Sequence, residues 1–233
     1  MKTLIITGGS KGIGKATAAL FCEQGYNVIN IARTHSGLDQ VRDLSLDLSA
    51  ANLDDQIDTQ LIPLLTPSTP IVLIHNAAQL NSGRLQDTSG DELHRILNLN
   101  VTAPQRLNAK VLPLMSPGSA IVYTGSTLSE KAVANSFTYV TSKHAMLGMM
   151  RATCQDLVGS GIHTACVCPG FTDTEMLRAH VGDDPAVLQS IASGNGFGRL
   201  VTPQEMASLL RYAAENPVIN GAVLHGNLGQ IES

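Results

Sequence analysis

The chain has 233 residues, 43% of them hydrophobic and 15% charged, with 15 Lys+Arg against 19 Asp+Glu. That length and apolar content can bury a full core, and an α/β chain of this size commonly folds as one domain. A net charge of −4 gives no basic excess for phosphate backbones, which argues against a nucleic-acid binder. No apolar stretch nears the roughly 20 residues that a membrane span needs.

Short apolar runs alternate with longer amphipathic stretches. Leu4–Thr7 reads as a strand, and Gly12–Gln24 as a helix with Ile13, Ala16, Thr17 and Leu20 on one face. Val28–Ala32 is a second strand and Leu44–Leu46 a weaker third. Asn52–Leu65 reads as a helix, and Ile71–His75 as a strand opened by Pro70. Asp91–Met115 is a long helix, with a kink expected at Pro104. Ala120–Thr124 is the fifth strand, Ser136–Val158 a long helix, and Ile162–Val167 the sixth strand. Gln204–Glu215 and Ala222–His225 close the series as helix and strand. Strands alternating with helices imply a parallel sheet covered on both faces. Phe171–Arg199 lacks strong periodicity and carries four glycines, so it reads as a substrate lid on a single domain covering 1–233.

Cys22, Cys154, Cys166 and Cys168 form no CxxC pair, and Cys166 and Cys168 share a strand face. They read as free thiols of a reducing cytoplasm, with no disulfide and no metal site. The opening Met1-Lys2-Thr3-Leu4-Ile5-Ile6-Thr7 is too short for a signal peptide.

Thr7-Gly8-Gly9-Ser10-Lys11-Gly12-Ile13-Gly14 joins the first strand to the first helix. Such glycines let a backbone turn tightly and approach a diphosphate at a helix N-terminus, although sterics alone can also demand them. Tyr139 and Lys143 stand four apart on a helix and share one face. A cation about 4 Å away would favour the phenolate by up to about 4 kcal/mol, or about 3 pKa units, making a tyrosine acid/base usable near neutrality. Taken alone, the pair reads equally as a surface tyrosine stacked on a lysine stem.

The TGxxxGxG spacing is followed in order by Asp47, Asn76-Ala77-Ala78, Asn100, Ser126, Tyr139-x-x-x-Lys143 and Pro169-Gly170. This set resembles the short-chain dehydrogenase/reductase family over essentially the whole chain. The resemblance implies a Rossmann-type, doubly wound α/β fold of about seven parallel strands. It implies that Tyr139 protonates the substrate oxygen, Ser126 orients it, and Lys143 holds the nicotinamide ribose and lowers the Tyr139 pKa. Asn100 would support a proton relay through a water. Cofactor contacts are expected from Gly8, Ser10, Lys11, Gly12, Ile13, Gly14, Asp47, Leu48, Asn76, Ala77, Ala78, Tyr139, Lys143, Pro169, Gly170, Thr172 and Thr174.

The second strand ends Ala32-Arg33, with no carboxylate to bind a ribose 2′-hydroxyl, and Arg33 with Lys11 would grip a 2′-phosphate. NADP(H) is therefore the expected cofactor. Three departures from the family pattern stand out: His75 and Ala78 flank Asn76-Ala77, Gly125 precedes Ser126 where a second serine is usual, and Gly226-Asn227-Leu228-Gly229 replaces an Asp-Gly-Gly run. Ala78 puts a methyl near the cofactor.

The expected substrate is a small or medium carbonyl or alcohol, in a pocket formed by Leu128, Val133, Phe137, Phe171, Met176, Leu177 and His180. A carrier-protein conjugate would need a basic patch, but Ser160 precedes Gly161, and the lid offers Asp173, Glu175, Asp183 and Asp184 against Arg178. A 3-oxoacyl-carrier-protein-type reductase and a non-catalytic NADP(H)-binding regulator remain alternatives. A homodimer or homotetramer is expected, because Met146, Leu147, Met149 and Met150 are nearly consecutive and some should face outward.

Overall fold

Seven parallel strands form one sheet in the order β3-β2-β1-β4-β5-β6-β7. The computed structural model describes residues 2–231. The strands are β1 Thr3–Thr7, β2 Asn27–Ala32, β3 Val41–Ser45, β4 Ile71–His75, β5 Ala120–Thr124, β6 His163–Pro169 and β7 Val223–Gly226. Residues alternate between faces along each strand, and both faces are covered, so the central strands are apolar throughout. Leu4, Ile6, Val72, Ile74, Val122 and Val167 meet helices α1 (Gly12–Glu23) and α8 (Pro203–Glu215). On the other face, Ile5, Ile29, Ile31 and Leu73 meet α2 (Leu53–Gln56), the turns after it, and α4 (Ala103–Val111). Ile121, Tyr123, Cys166 and Cys168 meet α5 (Phe137–Asp156).

Several elements differ from the sequence expectation. The third strand starts three residues early, at Val41, and ends before Leu46. The helix expected over Asn52–Leu65 is α2 followed by a π-helical turn at Ile57–Leu61 and a 3-10 turn at Ile62–Leu64, which contains Pro63. The helix expected over Asp91–Met115 is α3 (Gly90–Leu97), a π-helical turn at Asn98–Thr102, α4, and a 3-10 turn at Leu112–Leu114. The irregularity thus lies one turn before Pro104. Proline has no N–H to give the Asn100 carbonyl, and the Ala103 N–H reaches Asn98 instead. The segment expected to lack regular structure holds α6 (Glu175–Val181) and α7 (Pro185–Ala192).

The expected outward apolar stripe on α5 is not there. Met146, Leu147 and Met150 are at most 4% exposed, and Met149 packs partly against the same core. A 20-residue helix lying along β5 and β6 offers the sheet a face wide enough for all four. The outward positions are His144, Gly148, Arg151, Ala152 and Gln155.

One polar chain crosses this core. His75 Nε2 donates to Asn108 Oδ1 (2.7 Å), Asn108 Nδ2 donates to the Tyr123 hydroxyl (2.7 Å), and that hydroxyl lies 3.1 Å from Thr153 Oγ1 on α5. His75 is fully buried, its Nδ1 has no partner among the described residues, and burial lowers its pKa to about 4. In the unfolded chain it would titrate near 6.5. Below that pH the unfolded state binds the extra proton, so stability falls as pH drops from about 6.5 towards 4. The loss should approach about 3 kcal/mol at 1.36 kcal/mol per unit. Urea unfolding of the wild type and of His75→Asn at pH 7 and pH 4.5 checks this: the variant should lose less stability on acidification. Parallel losses would exclude His75 as the titrating group.

Candidate active site

The sheet splits between β1 and β4, from which connections leave in opposite directions. The backbone ladder between them ends at Ile6 and Ile74, and side chains take over. Buried Thr7 Oγ1 accepts the N–H groups of Asn76 and Ala77, both at 3.0 Å. Asn76 Nδ2 donates to the carbonyls of Thr7 (3.1 Å) and Gly8 (3.2 Å). The glycine loop is thereby held against the end of β4. A Cβ on Gly14 would run into the Gly8 carbonyl and lie 2.5 Å from Asn76 Nδ2. Gly12 has φ +49, and a Cβ there would meet Thr174 at 3.0 Å. Helix α1 begins without a side-chain cap and without an acid in its first turn. Its free N–H groups and dipole therefore suit an anion, so this cradle fits the diphosphate of a dinucleotide.

Lys11 and Arg33 are both exposed, on the two loops that flank this cradle. Ser10 Oγ donates to the Thr34 carbonyl and ties the loops together. Asp47 accepts the hydroxyl (2.6 Å) and N–H (2.9 Å) of Ser49, and these bonds, with the charge of Arg33, hold its carboxyl below the usual range. Leu48 is buried in the core, so it supports this wall from beneath. Ile13 likewise packs against the core, and Ala77 packs beneath Gly8. Ala78 is half-buried just beyond Ala77.

Ser126, Asn100, Tyr139 and Lys143 come together at the C-terminal ends of β4 and β5. Ser126 caps the 3-10 turn Thr127–Ser129: its Oγ accepts the Leu128 N–H (3.1 Å), and its own N–H reaches Ser129 Oγ (3.1 Å). This fixes the hydroxyl and directs its single proton to the Tyr139 oxygen. Tyr139 retains some exposed surface, yet burial raises its pKa to about 12, with a hydrogen bond from Ser126 pulling the other way. Lys143 is 2% exposed, and its Nζ donates to the Thr124 carbonyl at 2.7 Å. Burial lowers its pKa to about 8.

The expected depression of the Tyr139 pKa by Lys143 is therefore absent in the ligand-free chain. The ammonium lies 5.5 Å from the Tyr139 ring centre and is turned to a carbonyl, and burial penalises both charged forms. The Asn100 amide is also fully engaged. It accepts the Gln79 N–H (2.9 Å) and donates to the Gln79 carbonyl (3.1 Å) and Ser142 Oγ (3.0 Å). Ser142 in turn donates to the Tyr139 carbonyl (2.8 Å). The Asn100 side chain thus joins the loop after β4 to the turn of α5 that carries Tyr139.

Pro169 and Gly170 end β6, and Gly170 closes on Asn227, where a Cβ would lie 2.8 Å away. Thr172 is buried and its hydroxyl donates to the Gly170 carbonyl (3.0 Å). Thr174 caps α6 and sits over Gly12. Among the expected pocket residues, Val133, Phe171 and Met176 are exposed and Leu128 is half-buried. Val133 and Phe137 line a cleft of about 510 Å³ with Leu85. Leu177 is buried and packs inward instead. His180 Nδ1 lies 3.4 Å from Ser82 Oγ, bridging α6 and the loop after β4.

The sequence reading missed Thr7, Gln79, Ser142 and Asn30. Of these Thr7 opens the TGxxxGxG run, and Asn30 carried a signal as a lone amide inside the apolar strand Val28-Ile29-Asn30-Ile31.

Residues 2–184 match the family model described as short chain dehydrogenase. The chain belongs to the short-chain dehydrogenase family. The 3-oxoacyl-acyl-carrier-protein reductase FabG of Vibrio harveyi is 29% identical over 98% of this chain and 96% of that enzyme. The ligand-free aldohexose dehydrogenase of Thermoplasma acidophilum is 27% identical, with TM-score 0.89 over 98% of this chain and 93% of that one. ElxO with NADP bound is 25% identical, with TM-score 0.86 over 97% of each chain. As a short-chain dehydrogenase, the protein is an oxidoreductase.

The departure at Gly125 now has a cause. Cys166 and Cys168 stand 3.8 Å apart at sulfur, and a Cβ on residue 125 would lie 2.7 Å and 2.9 Å from the two sulfurs. Gly125→Ser, which restores the family's usual residue, should lower the unfolding midpoint by several degrees and displace Ser126, as overpacking costs about 1–3 kcal/mol. Combining it with Cys166→Ala and Cys168→Ala should recover part of the loss. Thermal melts of the single and triple variants check this, and a single variant as stable as the wild type would refute it.

Proposed function

We propose that this chain is an NADPH-dependent oxidoreductase that exchanges a hydride with a small or medium carbonyl or alcohol compound, using Tyr139 as general acid and base. The observation that carries the reading is the convergence of the Tyr139 phenol, the Ser126 hydroxyl hydrogen-bonded to it and the buried Lys143 ammonium where β5 ends. A bound nicotinamide cofactor supplies the hydride. Its diphosphate would be held by the backbone of Gly8–Gly14 and the N-terminus of α1, and its 2′-phosphate by Lys11 and Arg33.

The chain's own residues handle the proton. With its pKa near 12, Tyr139 keeps its proton at neutral pH and is ready to give it to a carbonyl oxygen. The proton on Ser126 orients the same oxygen. Lys143 supplies a positive charge, which favours the phenolate that remains and opposes the penalty of burial. Asn100 and Ser142 position α5, and with it Tyr139. The segment 171–199 covers the substrate, with Ser82 and His180 meeting across the cleft.

Tyr139→Phe should lower turnover roughly a hundredfold or more, the scale of lost acid–base catalysis. NADPH affinity, followed by cofactor fluorescence, should stay within about threefold, since one neutral hydrogen bond is worth about 1 kcal/mol. Retained turnover would remove Tyr139 from the acid/base role. Arg33→Ala should weaken NADPH by roughly tenfold or more and leave NADH nearly unchanged, because one charge-assisted contact is lost. Equal wild-type affinity for the two cofactors would contradict the NADPH assignment.

A second reading, reduction of a 3-oxoacyl carrier conjugate, is favoured by the likeness to FabG. Against it, Arg178 is already paired with Asp173 (2.8 Å) and Asp183 (3.0 Å), so the lid presents net negative charge to an acidic carrier. Catalytic efficiencies for free ketones and for a 3-oxoacyl carrier conjugate decide between the two. Turnover of the conjugate alone, weakening steeply with salt, would establish the second reading.

A further inference from the structure

Asn30 lies in the middle of β2, fully buried, with isoleucines on both sides. An unpaired amide there would be costly, and this one is engaged at both ends. Its Oδ1 accepts the Gly9 N–H at 2.7 Å, and its Nδ2 donates to Asp43 Oδ1 at 2.6 Å. Asp43, on β3, is itself largely buried, with its side chain 12% exposed. Its carboxylate also takes the Ser36 N–H, at 3.0 and 3.1 Å, and the Ser36 hydroxyl at 2.9 Å, with His35 Nδ1 3.6 Å away. One carboxylate therefore grips the loop after β2 directly and the glycine loop through Asn30.

Those two loops carry Arg33 and Lys11. Gly9 is two residues from Lys11, and Ser36 is three residues from Arg33. A Cβ on Gly9 would collide with Asn30 Oδ1 at 2.7 Å, so the loop can approach this amide only as glycine. The Ser10 hydroxyl and the Thr34 carbonyl add a further link between the loops. Both cationic side chains are solvent-exposed and long, so their spacing is set by the backbones that carry them.

We infer that Asp43 and Asn30 are positioning residues for cofactor choice: they set the separation of Lys11 and Arg33 and so the fit of a ribose 2′-phosphate between them. The inference rests on the NADPH reading above and adds to it the device that makes two flexible cations selective. Neither residue touches the reacting atoms. Charge-assisted bonds to a buried carboxylate make this a stiff link, because each is shorter and stronger than its neutral counterpart.

Asp43→Ala tests it, read by fluorescence titration of NADPH and NADH and by steady-state kinetics. NADPH affinity should fall roughly tenfold while NADH affinity changes by less than about threefold, since only the 2′-phosphate senses the spacing of the two cations. The loss should appear in KM for NADPH rather than in kcat. Asp43→Asn, which keeps an acceptor for Ser36 and for Asn30, should restore most of the preference. Ser36→Ala, which removes one hydroxyl contact, should shift the preference in the same direction by a smaller factor, and it serves if Asp43→Ala does not fold. A wild type that prefers NADPH while Asp43→Ala and Ser36→Ala keep the same NADPH-to-NADH ratio overturns the inference alone. So does an equal loss for both cofactors, or a loss confined to kcat. A wild type with no NADPH preference overturns both the inference and the reading beneath it.

Discussion

The hydroxyl of Thr7 holds the molecule together at the place where its sheet comes apart. Strands β1 and β4 are neighbours, but their ladder stops at Ile6 and Ile74, because the chain leaves them in opposite directions. Thr7 then receives two backbone N–H groups from the far side, and Asn76 returns two bonds to the carbonyls of Thr7 and Gly8. Four bonds across one crevice fix where the glycine loop begins. The approach of Gly14 to Gly8, the seating of Gly8 on Ala77, and the exposed N-terminus of α1 all follow from that starting point.

The second half of the site depends on a different constraint, the burial of an ammonium with no carboxylate beside it among the described residues. Lys143 meets the Thr124 carbonyl, the Met146 sulfur at 4.0 Å and the ring of Tyr139. None of these neutralises its charge, and its pKa falls accordingly. The cleft thus holds a protonated phenol beside an easily deprotonated amine. Both conditions come from the same enclosure, so a change in the solvation of the cleft shifts the two pKa values in opposite senses, whereas an added charge shifts both the same way.

Much of the fold could be read from the sequence because a two-sided parallel sheet writes itself as apolar runs of similar length. The central strands were placed to within one or two residues for that reason. β3, whose outer positions are polar, was not. The π-helical turn at Asn98–Thr102 was legible only as a disturbance near Pro104, since a missing N–H acts on carbonyls earlier in the chain. Ser126, Asn100, Tyr139 and Lys143 were found through their family spacing, and they do converge. Their electrostatics were not legible, because spacing on a helix gives the distance between Cβ atoms but not the direction of a flexible ammonium or the depth of burial. The outward face expected of α5 failed for a related reason: the run of four apolar residues did not reveal how wide a face the sheet beneath would offer. Gln79 and Ser142 act through bonds between distant segments, which leave no local trace, and Thr7 was visible only as the opening of the glycine-rich run.

The close packing of Gly125 against Cys166 and Cys168 bears on the substitutions this site accepts as well as its shape. Three positions share one small volume, so substitutions there are coupled. A side chain at 125 and both sulfurs cannot share this space unless something shifts, so a larger residue at 125 is accommodated more easily once one of the sulfurs is replaced. The two thiols are far from any bond-making role, yet they act as a constraint on the residue that precedes Ser126. A buried strand thereby limits which residues the neighbouring loop can accept.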